Sequence, residues 1–251
     1  VSALRRHGPA VLAHLALLGL WAWATGPGGV PRFILPGPLE TLRALSSPQI
    51  DWPRHLLMTV SEALGGFLLA VGIGVALAVV FTWSAALRRA LMPLLVTLNL
   101  VPKVALAPLF IVWLGYGLVP NIAITFVISF FPIVITTARG LAEVEPELLD
   151  LVRTVRATRW QVFRKIQLPS ALPYLFSGMR VAAVLAIAGT VVGEFVGSEA
   201  GLGFVMMAAQ GTLDTPAMVM SLILITLIGV ALYAMVVILE RLAVVEDARL
   251  R

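Results

Sequence analysis

Residues 143–173 read EVEPELLDLVRTVRATRWQVFRKIQLPSALP, and their composition belongs in water. Arg153, Arg156, Arg159, Arg164 and Lys165, with Arg139 just before, stand against Glu143, Glu145, Glu147 and Asp150. The chain on either side is apolar enough for lipid, so this piece is expected between two membrane spans. Its pattern resolves into two short helices. Pro146 suits a first helical position, Glu147 and Asp150 favour the positive end of a helix, and Leu148, Leu151, Val152 and Val155 recur at helical spacing on one face. Thr158-Arg159-Trp160-Gln161 is then a capping box, with Thr accepting from the backbone three residues on and Gln reaching back. A second helix therefore starts at Thr158 and carries Trp160 and Phe163 until Pro169 stops it. Two aromatics three apart on a short basic helix make a compact knob for a groove on another protein. The alternative is that they pack on the membrane surface or on the first helix.

The rest of the chain supports a membrane setting. Its 251 residues are 60% apolar and 12% charged, with a mean hydropathy of +0.99. Soluble domains carry about a quarter charged residues, so the expected class is an all-α polytopic membrane protein. The net charge of +5 sits in loops, where it orients the chain, and no nucleic-acid partner is expected. There is no Cys, and His7, His14 and His55 are too scattered in sequence to suggest a metal cluster.

About six transmembrane helices are expected in one domain covering residues 1–251. Residues 1–25 form the first span, with Trp21 and Trp23 as interfacial anchors, and residues 26–56 form an outer segment with an amphipathic piece around Leu39 to Leu45. Residues 57–138 hold spans two to four. In the second, Gly66, Ala70, Gly74 and Ala78 repeat every four residues, a stripe that lets helix backbones approach closely. Arg88 and Arg89 mark an inner loop, and the third span is broken by Pro93, Pro102 and Pro108. Residues 139–173 are the inner loop quoted above, 174–239 hold spans five and six, and 240–251 form a charged inner tail. Residues 204–215 are too short to span and re-enter or lie at the outer face. With this threading, inner segments hold Arg5, Arg6, Arg88, Arg89, Arg139 and the basic residues of the loop and tail. Outer segments hold only Arg32, Arg43 and Arg54, which places both termini inside.

Several motifs, in order, resemble those of a known family. Asp150-Leu151-Val152 stand where the loop of permease subunits of bacterial ABC importers has Glu-Ala-Ala. Arg156 stands at its Gly, Ala157-Thr158 match the following Ala-Ser/Thr, and Leu168-Pro169 match its Leu-Pro. The pattern P-x-x-x-L-P-x-P from Pro31, the run from Val101 to Leu109 and the Gly-rich tail from Gly193 to Gly203 resemble the nitrate/sulfonate/taurine branch. The resemblance implies the type I importer fold and a coupling helix that docks on a separate ATPase. Asp150, Arg156, Ala157, Thr158, Arg159, Trp160, Phe163, Leu168 and Pro169 would be the docking residues. It also implies a second permease copy, giving a homodimer, with two ATPase subunits and a soluble substrate-binding protein. The setting would be the bacterial inner membrane. Nitrate, a sulfonate, taurine, bicarbonate or a vitamin precursor would be the cargo. The sequence has no G-x-x-x-x-G-K-[ST], so no cofactor is expected on this chain, and ATP and Mg belong to the partner ATPase. The chain itself is then non-catalytic.

Within the membrane, Gly178, Ala182, Ala186, Thr190 and Glu194 follow at intervals of four and form a candidate strip along the translocation path, or else a helix-packing strip. Lys103 is a second candidate, able to attract an anion or pair with Glu194, because an unpaired mid-span charge costs roughly 3 kcal/mol or more. Arg156 poses a local question. The family's Gly serves as a left-handed cap, and a non-Gly residue there costs roughly 1 kcal/mol unless the turn changes or the guanidinium recovers it. An ion-coupled secondary transporter and a membrane scaffold for a soluble enzyme are the alternative functions.

Overall fold

A computed structural model describes residues 2–144, 154 and 156–244, and every regular element among them is helical. They are α1 (Ser2–Thr25), α2 (Pro38–Arg43), α3 (Trp52–Trp83), α4 (Ala85–Leu100), α5 (Ala107–Leu114), α6 (Leu118–Ala142), α7 (Arg159–Gly197), α8 (Leu202–Thr212) and α9 (Thr215–Ala243). The first of the two helices expected in the loop, with Pro146, Leu148 and Asp150, lies outside the described residues.

The protein is an all-α polytopic membrane protein. Helices α3, α6, α7 and α9 are each long and apolar enough to cross a bilayer, and α4 with the stretch 103–114 makes a fifth candidate, bent by 86°. The segment Val11–Thr25 of α1, expected as the first span, is a shorter apolar helix. It leans on α2, and Trp21 Nε1 donates to Pro36 O, just before that helix, at 2.9 Å.

The long helices overrun their apolar stretches because polar caps start them early. Asp51 accepts from the Arg54 amide and opens α3, and Asp214 accepts from the Ala217 amide and opens α9; a Pro follows each cap in the first helical turn. Ser84 does the same for α4 through the Leu87 amide. The connection from α3 to α4 therefore shrinks to one residue. Arg88 and Arg89, read as an inner loop, lie instead on the first turns of α4, where Ala85, Ala86 and Leu87 favour helix. Of the three prolines in this region, Pro93 is carried inside α4 and Pro108 sits in the first turn of α5. The bend falls at Val101-Pro102, followed by the 3-10 turn Lys103–Leu106.

Pro169 does not stop the helix from Thr158. The chain runs as one helix from Arg159 to Gly197, and the missing proline donor is absorbed by a π-helical turn at Phe163–Gln167, in which the Leu168 amide bonds Phe163 O.

The core centres on α6, which packs between α3 and α7. Gly66, Ala70, Gly74 and Ala78 are buried on α3, and Gly66 and Gly74 face α6. Thr125 of α6 is held from both sides: a Cβ on Gly66 would fall on its side chain, and one on Gly189 of α7 would lie 2.9 Å from its Cα. Helix α9 closes the bundle against α7 and α8.

Candidate functional site

The polar segment begins at Arg156, whose φ of 51° is left-handed. The turn geometry that a Gly would adopt is thus kept by an Arg. Thr158 caps the helix as its sequence implies, with the Gln161 amide donating to Thr158 Oγ1 at 3.3 Å and the Thr158 amide donating to Gln161 Oε1 at 2.8 Å. Trp160 and Phe163 then separate in role. Trp160 is 55% exposed, whereas Phe163 is 7% exposed and packs in a cluster with Phe81, Leu141 and Ala171. Both touch Trp83 at the end of α3, edge to face, with ring centroids 6.0 Å and 5.8 Å away, and they stack on each other at 5.6 Å. Phe163 therefore anchors the segment to its own chain, and Trp160 is the aromatic presented outward. Arg156, Thr158, Arg159, Leu168 and Pro169 are also exposed, and Ala157 is half-buried. Asp150 lies outside the described residues.

The strip on α7 is buried within this chain. Gly178 lies against Pro132, Ile133 and Thr136 of α6, while Ala182, Ala186 and Thr190 are fully buried. Thr190 shares a 3.0 Å hydrogen bond with Thr125. Gly178 and Thr190 thus face α6, and Ala182 and Ala186 belong to a buried cluster with Phe67, Ile133 and Leu232. Lys103 does not pair with Glu194. Its Nζ donates to the side chain of Asn99 at 2.6 Å and to Asn99 O at 3.2 Å, within the bend. Arg180 of α7 reaches Glu240 of α9 at 3.5 Å.

Glu194 is 2% exposed and sits in a polar junction where α3, α6, α7 and α8 meet. It accepts from Thr59 Oγ1 at 2.6 Å and from the Gly203 amide; Thr59 Oγ1 in turn accepts from the Leu202 amide at 2.8 Å. The Gly201 amide donates to His55 Nδ1 at 3.0 Å. The first amides of α8, which have no partners within the helix, are thus met by side chains of α3 and α7. Gly201 takes φ 117°, and a Cβ there would strike the Glu194 carboxyl group. Beside this, Asn121 Nδ2 donates to Glu62 Oε1 at 2.8 Å and to Ser198 Oγ at 2.6 Å. Sequence reasoning did not single out Glu62, Asn121 or Thr59, although an acid inside a span, such as Glu62, is itself a signal.

The arrangement is a bundle of spans with a capped, partly aromatic segment at one end and a tethered short helix near the Gly201 loop. The chain belongs to the family of inner membrane components of binding-protein-dependent transport systems, which its residues 70–244 match. It is a permease subunit of an ABC importer, and that family is non-catalytic.

Among its relatives is the riboflavin transport system permease protein RibX of Chloroflexus aurantiacus, 39% identical over 93% of this chain and 88% of that protein. Another is the formylaminopyrimidine transport permease protein ThiX of Halalkalibacterium halodurans, 31% identical over 92% of each. The inward-facing MetNI methionine ABC transporter shares the fold, with a TM-score of 0.62 and 23% identity over 76% of this chain and 97% of that one.

Proposed function

We propose that this permease works in an ATP-driven importer as one of two identical copies, each docked on its own ATPase subunit and served by a soluble binding protein. Both termini lie on the ATPase side. ATP and Mg bind the ATPase, and this chain holds no cofactor. The observation that carries the reading is the continuity of α7. A push on Trp160 or its neighbours acts on a helix that runs to Gly197, braced by Phe163 against Trp83. Rigid elements of this kind turn a small displacement at one end into a change between two packed states. The small-residue contacts of α6 with α3 and α7 support sliding of close-packed helices in that change.

For the cargo, a vitamin or vitamin precursor built on a flavin or pyrimidine ring is the class favoured by the names of the relatives at 39% and 31% identity. The test is uptake into liposomes by the chain reconstituted with its ATPase and binding protein, using riboflavin and a formylaminopyrimidine as labelled solutes. Uptake that requires hydrolysable ATP is expected. Uptake driven by an imposed proton or sodium gradient without nucleotide would overturn the reading in favour of a secondary transporter. ATP-dependent uptake of only some other solute would overturn the cargo class alone.

A further inference from the structure

A groove of about 920 Å3 lies between α4 and α6, and Met92 and Ala138 of its lining pack in the cluster that holds Phe163. Its walls are apolar and include Met92, Val96 and Ile135, while Arg88, Arg89 and Arg139 stand at its rim. The three arginines come from two helices that the fold brings together, the first turns of α4 and the last turn of α6. All three are exposed. Arg89 Nε donates to Ala85 O, and Arg139 Nε pairs with Glu143 at 3.2 Å, an exposed contact that leaves the terminal nitrogens of Arg139 to other partners. On the groove face of α4, Met92 and Val96 follow Arg88 and Arg89 at helical spacing, and Val96 is exposed.

We propose that this groove is a binding site for an anionic phospholipid, with the phosphate on Arg88, Arg89 and Arg139 and an acyl chain lying against Met92, Val96 and Ile135. The chemistry follows from the two surfaces. Basic pockets between membrane helices recognise anionic headgroups, and guanidinium groups bind phosphate oxygens through paired donors. A soluble anion would use the rim and leave the apolar wall in contact with water. A lipid covers both. The groove's lining residues Met92 and Ala138 pack with Phe163, which would let membrane charge bias the segment proposed to dock the ATPase.

The test measures binding of phosphatidylglycerol and phosphatidylcholine to the delipidated full-length chain in neutral detergent by native mass spectrometry. Phosphatidylglycerol is expected to bind the wild type selectively. The triple variant Arg88→Ala, Arg89→Ala, Arg139→Ala should weaken it on the order of a hundredfold, at roughly a factor of five per basic residue. Val96→Trp keeps every charge and fills the groove, so it should also lose phosphatidylglycerol. Arg88→Lys, Arg89→Lys, Arg139→Lys preserves the charge that orients the chain and should fall between. Equal binding of both lipids by the wild type, or unchanged binding by Val96→Trp, would overturn the proposal. So would displacement of the lipid by glycerol phosphate at equal concentration, which would assign the rim to free phosphate esters. A groove closed by a second copy, shown by cross-linking of Val96→Cys together with absent lipid binding, would overturn it as well. None of these readouts depends on nucleotide or cargo, so they stand or fall apart from the transport reading.

Discussion

Gly189→Ala is the sharpest test of how the bundle is held together. A Cβ at 189 would lie 2.9 Å from Thr125 Cα and 3.4 Å from Ile128 Cβ. Carbon atoms pack at roughly 3.5–4.0 Å, so the nearest contact is short by about 0.6–1.1 Å. Thr125 Cα is backbone and cannot rotate away. Nor can α6 retreat freely, since Thr125 is already pressed against Gly66 of α3 on its far side. The misfit therefore has to be taken up by α7 moving outward, which stretches the Thr125–Thr190 hydrogen bond one residue along. Overpacking of this kind costs about 1–3 kcal/mol, and the weakened hydrogen bond adds about 1 kcal/mol. Replacing a helical Gly by Ala returns up to about 1 kcal/mol. The net expectation is a loss of about 1–3 kcal/mol. Gly72→Ala on α3 is the control, because nothing lies within 4 Å of a Cβ there. That variant keeps only the propensity gain. Thermal unfolding of the two purified variants in the same detergent, followed by circular dichroism, should then separate them by on the order of 5–15 °C. If Gly189→Ala melts with Gly72→Ala, at or above the wild type, the close-packed α6–α7 contact does not limit stability and the reasoning fails.

Trp160→Ala should leave the fold intact and weaken ATPase docking by about 2 kcal/mol or more in a pull-down, whereas Phe163→Ala should cost about 3 kcal/mol of the chain's own stability. Equal loss of ATPase with unchanged melting for both would show that Phe163 is an interface residue after all. Arg156→Gly should relieve roughly 1 kcal/mol of left-handed strain and raise the melting temperature, while weakening ATPase binding in low salt. Unchanged affinity at low ionic strength removes the ionic role. Glu194→Leu strips partners from the Gly203 amide and Thr59, at about 1–3 kcal/mol for each group left unpaired. Hydrogen exchange at residues 201–203 should rise by tenfold or more, and unaltered protection there would mean that the junction does not hold α8.

Thr158 and Gln161 show what can be read locally. Their reciprocal hydrogen bonds span three residues, so the sequence already contains both partners and the helix start it predicts is the one found. The same holds for the stripe from Gly66 to Ala78, whose period is that of the helix on which it lies. The apolar composition and the order of the family motifs were equally sufficient for the class of protein. Pro169 marks the limit of such reasoning: proline ends a helix only if its missing donor has no accommodation, and here the π turn supplied one.

The fate of Phe163 could not be read from spacing, because three residues from Trp160 puts both aromatics on nearly one face. Both touch Trp83, but only Phe163 is enclosed by Phe81 of α3 and Leu141 of α6, which leaves Trp160 open. Glu194 makes the same point across the chain, since it meets Thr59 at a separation of 135 residues. A carboxylate at the end of an apolar helix suggests a path, and only the packing of α3 and α8 turns it into a tether. Lys103 found its hydrogen-bond acceptors four residues away, at Asn99, across the 86° bend that contains Pro102. What depends on hydrogen bonds within one turn was written in the sequence. What depends on which helix lies opposite was decided by the fold, because burial and pairing are properties of surfaces that distant segments make together.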